Sequence, residues 1–363
     1  MNDELVIIGA GPAGLSAAVE SAKYGVKVTL IDENDRPGGQ LFTQTHKFFG
    51  SKEHRAGVRG FTIGNELLAE IKKLDVDILL NSLVYGIFPN REVVFTVGDG
   101  SSKSIKAKNI LIATGALEKP ITFKGWTKPG VMVAGAAQTM MNVFRVLPGE
   151  KVLMVGSGNV GLIVSYQLMQ AGANVVGIIE ALPKVGGYMV HAAKVRRMGV
   201  PILTSHTILE AKGDPIVSSA VLVKLDKNFN KISNTEKEVP CDLICLAVGL
   251  KPFDELCGLL KLQSKYIREL GGFVTVHDEN MQTSMENVYI AGDTAGIEEA
   301  SCAMEEGRLA GIAVAQKLGY IKTFKAAKKK KEINLRLDHL RIGSFGDERA
   351  EGKKQLIQAK IEA

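Results

Sequence analysis

The feature that most restricts what this chain can become is a repeated order of apolar run, glycine turn, helix, apolar run and acid. Residues 5–8 (Leu-Val-Ile-Ile) form a short run of β type, and Gly9-Ala-Gly-Pro-Ala-Gly14 follows. A helical stretch from Leu15 to Tyr24 is stopped by Gly25, and a second apolar run, Val26 to Ile31, ends at Asp32-Glu33. The order returns at Lys151–Val155, Gly156-Ser-Gly-Asn-Val-Gly161, Leu162–Gln170 and Asn174–Ile179, which ends at Glu180. In each copy the first glycine permits a tight turn, the second lets phosphates approach the backbone, and the third lets the helix lie close to the strand. The amino end of the helix then offers unpaired N–H groups and a partial positive charge to an anion.

The acid lies 18 residues after Gly14 in the first copy and 19 after Gly161 in the second, where a carboxylate can accept ribose hydroxyls. This duplication predicts an α/β chain with two Rossmann-like dinucleotide-binding domains. The first site would comprise Gly9, Gly11, Pro12, Ala13, Gly14 and Asp32, with Glu33 as the fallback acid. The second would comprise Gly156, Gly158, Asn159, Val160, Gly161 and Glu180. A carboxylate at 180 favours a free 2′-hydroxyl over a 2′-phosphate, and Ala181-Leu-Pro-Lys184 brings no arginine to clamp one. NAD(H) is therefore expected over NADP(H). The glycine pattern fixes a nucleotide and not a nicotinamide, so another adenine nucleotide at the second site stays open.

At 363 residues the chain is long enough for two or three domains of about 150 residues. Its 45% hydrophobic and 23% charged residues suit a folded protein that needs no disulfide staples. Four cysteines without a Cys-x-x-Cys pair exclude a disulfide scaffold. No apolar run is long enough to span a bilayer, and Leu5–Ala10 is too short and too acidic in its approach for a secretory signal. A cytoplasmic protein is expected. Residues 321–363 hold 12 basic and 6 acidic side chains, so the tail accounts for the whole net charge of +6. The balanced body gives no sign of binding nucleic acid. The six histidines have no ligand-like spacing, so no metal site is expected.

Three further apolar runs end in small residues: Ala113-Thr114-Gly115, Ala247-Val248-Gly249 and Ala291-Gly292-Asp293. With the paired turns, these resemble the pyridine nucleotide–disulfide oxidoreductase superfamily over about residues 4–320. The resemblance implies FAD at the first site and a pyridine nucleotide at the second. It divides the chain into an FAD domain (1–120 and 281–322), an inserted NAD domain (121–280) and an extended basic tail (323–363). It adds Gly39 and Gln40, Val84, Thr114, Gly115, Gly292 and Asp293 to the FAD residues, together with Ser301, Cys302 and Ala303 at the start of the helix after Gly-Asp. It adds Gly249 to the NAD residues.

The segment Gly38–Thr45 lacks the redox cysteines of the disulfide reductases, and Cys241 and Cys245 fall in an apolar strand, where inert thiols are expected. Gly130–Gln138, Pro148-Gly149 and Gly307-Arg-Leu-Ala-Gly311 more closely resemble the FAD/NAD subunits of heteromeric dehydrogenases, such as sarcosine oxidase, dye-linked proline dehydrogenase, opine oxidase and hydrogen cyanide synthase, and chains that accompany anaerobic glycerol-3-phosphate dehydrogenase. That resemblance implies hydride transfer between NAD(H) and flavin beside a partner dehydrogenase chain that acts on a small amino acid, hydroxy acid or polyol phosphate. With no cysteine in residues 303–363, any iron–sulfur relay is expected on a separate chain. A stand-alone NADH oxidase or reductase and a non-catalytic nucleotide-binding subunit stay open. The tail, with Lys328–Lys331 and scattered Leu335, Leu337, Leu340, Ile342 and Phe345, is expected to lie on an acidic partner, and its removal from residue 328 to leave FAD binding intact but disrupt the hetero-oligomer; a disordered solubility tail stays open.

Overall fold

A computed structural model describes residues 2–48, 52–343 and 346–361. The chain divides into two units: Met1–Leu117 with Lys251–Ala363, and Glu118–Leu250. Residues 251–280 thus pack with the first unit, where the sequence drew the boundary at 280. The reason is the hairpin of Ser264–Ile267 and Gly272–Thr275, whose neighbourhood (Ile267, Leu270, Val274, Val276) forms an apolar cluster with Leu356 of the tail.

In the first unit, strands Val76–Leu79, Val28–Ile31, Asn2–Ile8 and Ser102–Ile112 run parallel in that order. Val288–Ile290 adds a fifth parallel strand beside Ser102–Ile112. Glu92–Thr96 and Val84–Ile87 extend the sheet antiparallel. The register pairs Ile7 with both Leu30 and Leu111. The strand Val28–Ile31 is buried throughout, as expected for a parallel sheet covered on both faces.

The second unit has its own parallel sheet, in the order Ile202–Thr204, Asn174–Glu180, Lys151–Val155, Leu243–Leu246 and Val131–Val133. A three-stranded antiparallel sheet, His206–Lys212, Ser219–Lys224 and Lys237–Pro240, completes it.

In both units the central strand feeds a glycine turn and then a helix, Pro12–Ala22 in the first and Asn159–Gln170 in the second. The closing helix Ala300–Lys317 lies against Pro12–Ala22 at very short range. A Cβ on Gly307 would stand 2.1 Å from the Ala13 carbonyl oxygen, and one on Gly311 2.8 Å from that of Ala17.

The tail departs from expectation. It forms two helices, Thr323–Leu340 and Gly346–Ile361. Ala326, Ile333 and Leu337 recur on one face of the first and join the main core of the first unit. Leu335 and Ile342 are exposed, and Phe345 lies outside the described residues. Three of the tail's cations meet buried glutamates of the same chain. Arg336 pairs with Glu305 at 2.7 Å, Arg341 with Glu298 and Glu306, and Lys353 with Glu306 at 2.6 Å.

Candidate functional site

The two glycine turns are close geometric copies. Gly9 has φ +103 and Gly156 φ +106, and a Cβ on either would strike a carbonyl oxygen, Ala113 at 2.3 Å and Ala247 at 2.2 Å respectively. Only glycine fits there. A Cβ on Gly14 would lie 1.9 Å from the Gly9 oxygen, and one on Gly161 2.2 Å from that of Gly156. The middle glycines behave in the opposite way: a Cβ on Gly11 or Gly158 would meet nothing within 4 Å. These two positions face open space at the head of a helix that has no side-chain cap. The first N–H groups of each helix therefore have no intrahelical partner and point into a cradle that a Cβ would narrow. The residues fit a bound pyrophosphate in both units.

Each acid is fixed by the same two kinds of donor. Asp32 Oδ2 accepts the Ala10 N–H at 2.6 Å, and Oδ1 accepts the Asn34 N–H at 2.9 Å. Glu180 Oε2 accepts the Ser157 N–H at 2.9 Å and the Ser157 hydroxyl at 2.7 Å, and Oε1 accepts the Leu182 N–H at 3.0 Å. The turn residue and the residue two after the acid thus orient each carboxylate. Glu33, by contrast, is exposed.

Sequence reasoning missed one part of this copy. After Asp32, Gly38 donates its N–H to the Ala10 carbonyl at 2.8 Å, and Gly39 closes on the turn, its Cβ position 2.9 Å from Gly11 Cα. In the second unit Gly187 donates to the Ser157 carbonyl at 2.8 Å and Gly186 to the Ser157 hydroxyl at 2.9 Å. A Cβ on Gly187 would stand 2.9 Å from the Asn159 nitrogen, and Asn159 Oδ1 accepts the Tyr188 N–H at 2.8 Å. The signal was present in the spacing. Gly38-Gly39 and Gly186-Gly187 each stand six and seven residues after their acid.

Around the first turn the structure gathers most of the expected residues. Thr294 Oγ1 accepts the Gly115 N–H at 2.7 Å, and the Thr114 hydroxyl donates to the Phe253 carbonyl at 2.7 Å. Gly292 approaches Ala13, where a Cβ would stand 2.9 Å from the alanine Cβ. Gln40 Oε1 lies 3.2 Å from the Thr43 hydroxyl. Ser301, Cys302 and Ala303 are buried in the first turn of Ala300–Lys317, another helix without a side-chain cap. Burial pushes the Asp293 carboxyl up to about 7, against a hydrogen bond from the Glu298 N–H. Val84 is part of the core, on the antiparallel extension of the sheet. In the second unit, Pro12 and Ala13 have Asn159 and Val160 as counterparts at the helix start. Gly249 has φ +116 and accepts the Lys119 N–H at 2.9 Å.

All four cysteines are buried free thiols. Burial pushes Cys241 and Cys245 up to about 12, Cys257 to about 11, and Cys302 well above its ordinary value. At pH 8 a thiol of pKa 12 is ionised in about one molecule in 10⁴, so its nucleophilicity is suppressed. Titration of the native protein with Ellman's reagent is expected to find essentially no reactive thiol, and four after unfolding in guanidinium. Rapid stoichiometric reaction of a native thiol would contradict this.

Among known proteins, the chain is 28% identical over 337 residues to an opine oxidase subunit of Agrobacterium tumefaciens (strain Ach5), covering 88% of this chain and 67% of the relative. It is 27% identical to the hydrogen cyanide synthase subunit HcnB of Pseudomonas aeruginosa, covering 100% of this chain and 82% of that one. The thioredoxin reductase of T. acidophilum shares the fold, with a TM-score of 0.70 at 21% identity over 87% of this chain and 99% of that one. The family described as pyridine nucleotide-disulphide oxidoreductase matches residues 3–307. The duplicated cradle and this match agree: the chain belongs to the pyridine nucleotide-disulphide oxidoreductase family.

Proposed function

We propose that the chain passes a hydride between NAD(H), held at the second glycine turn, and FAD, held at the first, as the electron-transfer subunit of a hetero-oligomeric dehydrogenase. The carrying observation is the pair of open positions at Gly11 and Gly158, each at the head of an uncapped helix and each beside an oriented carboxylate. The helix amides bind the phosphates, and Asp32 and Glu180 orient the riboses. Gly39, Gln40, Thr114, Gly115, Gly292, Asp293 and the Ser301–Ala303 turn complete the flavin side in this reading. Gly186–Gly187 and Gly249 complete the nicotinamide side. Bound flavin supplies the hydride acceptor, and the buried thiols take no part. A redox disulfide is not required.

The hetero-oligomer is supported by relatives whose names describe subunits. The substrate is proposed to be a small amino acid, hydroxy acid or polyol phosphate bound by the partner, with any iron–sulfur relay on a separate chain. A cytoplasmic location belongs to the same proposal, on the strength of four free thiols. No helix among the described residues is long and apolar enough to cross a membrane.

The preference for NADH over NADPH rests on Glu180, whose three protein donors hold its charge where a 2′-phosphate would approach. In stopped-flow reduction of the flavin at equal concentrations, NADH is expected to be faster by at least about tenfold, equivalent to about 1.4 kcal/mol. Faster reduction by NADPH would reject the preference. An absence of reduction by either would reject the hydride-transfer reading.

A further inference from the structure

The segment from Gly292 to Glu299 links the last parallel strand to the closing helix and carries Asp293. It is held from both sides. Glu306 Oε2, on the closing helix, accepts the Gly292 N–H at 3.0 Å. From the tail, Lys353 donates to the Ala295 carbonyl at 2.8 Å and pairs with Glu306 Oε1 at 2.6 Å and Glu298 Oε2 at 3.6 Å. Arg341 donates from Nε to Glu298 Oε1 at 2.8 Å and from Nη2 to Glu306 Oε1 at 2.7 Å. The side chains of Glu298, Glu306 and Lys353 are all 4% exposed or less.

We propose that Lys353 and Arg341 are positioning residues for the flavin, and that the two C-terminal helices act as an intramolecular clamp that fixes the Asp293 segment. This rests on the reading that Asp293 lies at the flavin. The connectivity carries the proposal. Lys353 grips a backbone carbonyl two residues beyond Asp293, and the carboxylate it neutralises holds the amide of the residue before it. Glu298 shows how strong the pairing is. Burial works against its charge, yet Lys353 and Arg341 outweigh burial and keep its carboxyl below the usual range. The same two glutamates add to the rise at Asp293, while Lys353 opposes it. Without Lys353, two buried carboxylates would share one cation, Arg341, and leave a surplus negative charge beside a carboxyl that must present itself to a ligand carrying its own negative phosphates. Both the backbone restraint and the charge balance of the segment would be lost together.

The test uses full-length protein stripped of flavin and titrated with FAD, with FAD fluorescence giving the dissociation constant and apo-protein melting read in parallel. Lys353→Met is expected to weaken FAD binding at least about tenfold, or about 1.4 kcal/mol. Lys353→Arg is expected to restore part of the loss. Lys353→Met combined with Glu306→Gln should also recover affinity, because the glutamine oxygen can still accept the Gly292 N–H while the surplus negative charge is gone. Should Lys353→Met fail to fold, Arg341→Lys serves instead. It keeps the charge, loses the forked contact, and is expected to weaken FAD several-fold. A lower apo melting temperature with an unchanged FAD dissociation constant in the folded fraction would overturn the proposal and leave a purely structural tail. Failure of the wild-type protein to bind FAD would instead overturn the underlying flavin assignment.

Discussion

Gly11→Val is expected to give a folded protein that has lost its flavin, whereas Gly14→Val is expected not to fold. The two glycines are three residues apart in one turn but face different surroundings. Gly11 has φ −74, ordinary for any residue, and its Cβ direction is open. A valine there intrudes only on the space a pyrophosphate needs. Losing two charge-assisted hydrogen bonds at about 1.5–3 kcal/mol each weakens FAD binding by about 100-fold or more. At Gly14 the same side chain would be driven into the Gly9 carbonyl, a backbone atom that cannot move without parting strand from helix. The measurements are flavin absorbance per protein and far-UV circular dichroism. A Gly11→Val protein that retains full flavin content would sink the first-site assignment. A well-folded Gly14→Val would show that the close packing at that turn is not required. By the same geometry, Gly158 and Gly161 should divide in the same way in the second unit.

Deletion of residues 341–361 is expected to unfold the first unit. The deletion removes Arg341 and Lys353 and strands Glu298 and Glu306, both nearly fully buried. Breaking a buried pair by removing one partner costs about 3–5 kcal/mol, and whole domains are stable by only about 5–15 kcal/mol. Loss of the Leu356 contacts with Ile267, Leu270, Val274 and Val276 adds to the deficit. Truncation from residue 328 is expected to be worse, since it also removes Ile333, Leu337 and the Arg336 pair with Glu305. The observable outcome is loss of bound flavin, with limited proteolysis leaving a resistant core from residues 118–250. A soluble, flavin-loaded truncation that melts within a few degrees of the full chain would refute it.

The parts of this architecture that were legible in the sequence are those encoded locally. Glycine spacing, apolar runs of strand length and an acid at a set distance all depend on residues within about 30 positions, and both turns could be read from them. Gly186-Gly187 was equally local but escaped notice because Gly38-Gly39 was read by its resemblance to a family segment and not by its distance from Asp32. The tail was illegible for a different reason. Its neutralising partners, Glu298 just before the closing helix and Glu305 and Glu306 within it, lie 31 or more positions earlier, where charges look solvent-facing in sequence. Burial of a charge follows no periodicity, so +6 in the tail read as an invitation to another molecule. The division at 250 was hidden likewise, because the hairpin of 264–275 declares its allegiance through residues distant in sequence, such as Leu356 and the Ile297 N–H that Leu270 accepts.

The discontinuity of the first unit has a consequence for how the chain is made. The second unit, Glu118–Leu250, is contiguous and can close as soon as it leaves the ribosome. The sheet of the first unit is already represented by residues 2–112, but its fifth parallel strand, Val288–Ile290, and its closing helix have yet to be translated. At about 5–20 residues per second, the residues from Lys251 to the paired Lys353 take on the order of ten seconds to appear. Through that interval the Gly9 turn and its helix Pro12–Ala22 lack the closing helix against them, and the glutamates of the closing helix emerge before the cations that neutralise them. On the proposed assignment, the nicotinamide side is built early in synthesis and the flavin side late. The same assignment makes flavin binding one of the last events expected in the maturation of this chain.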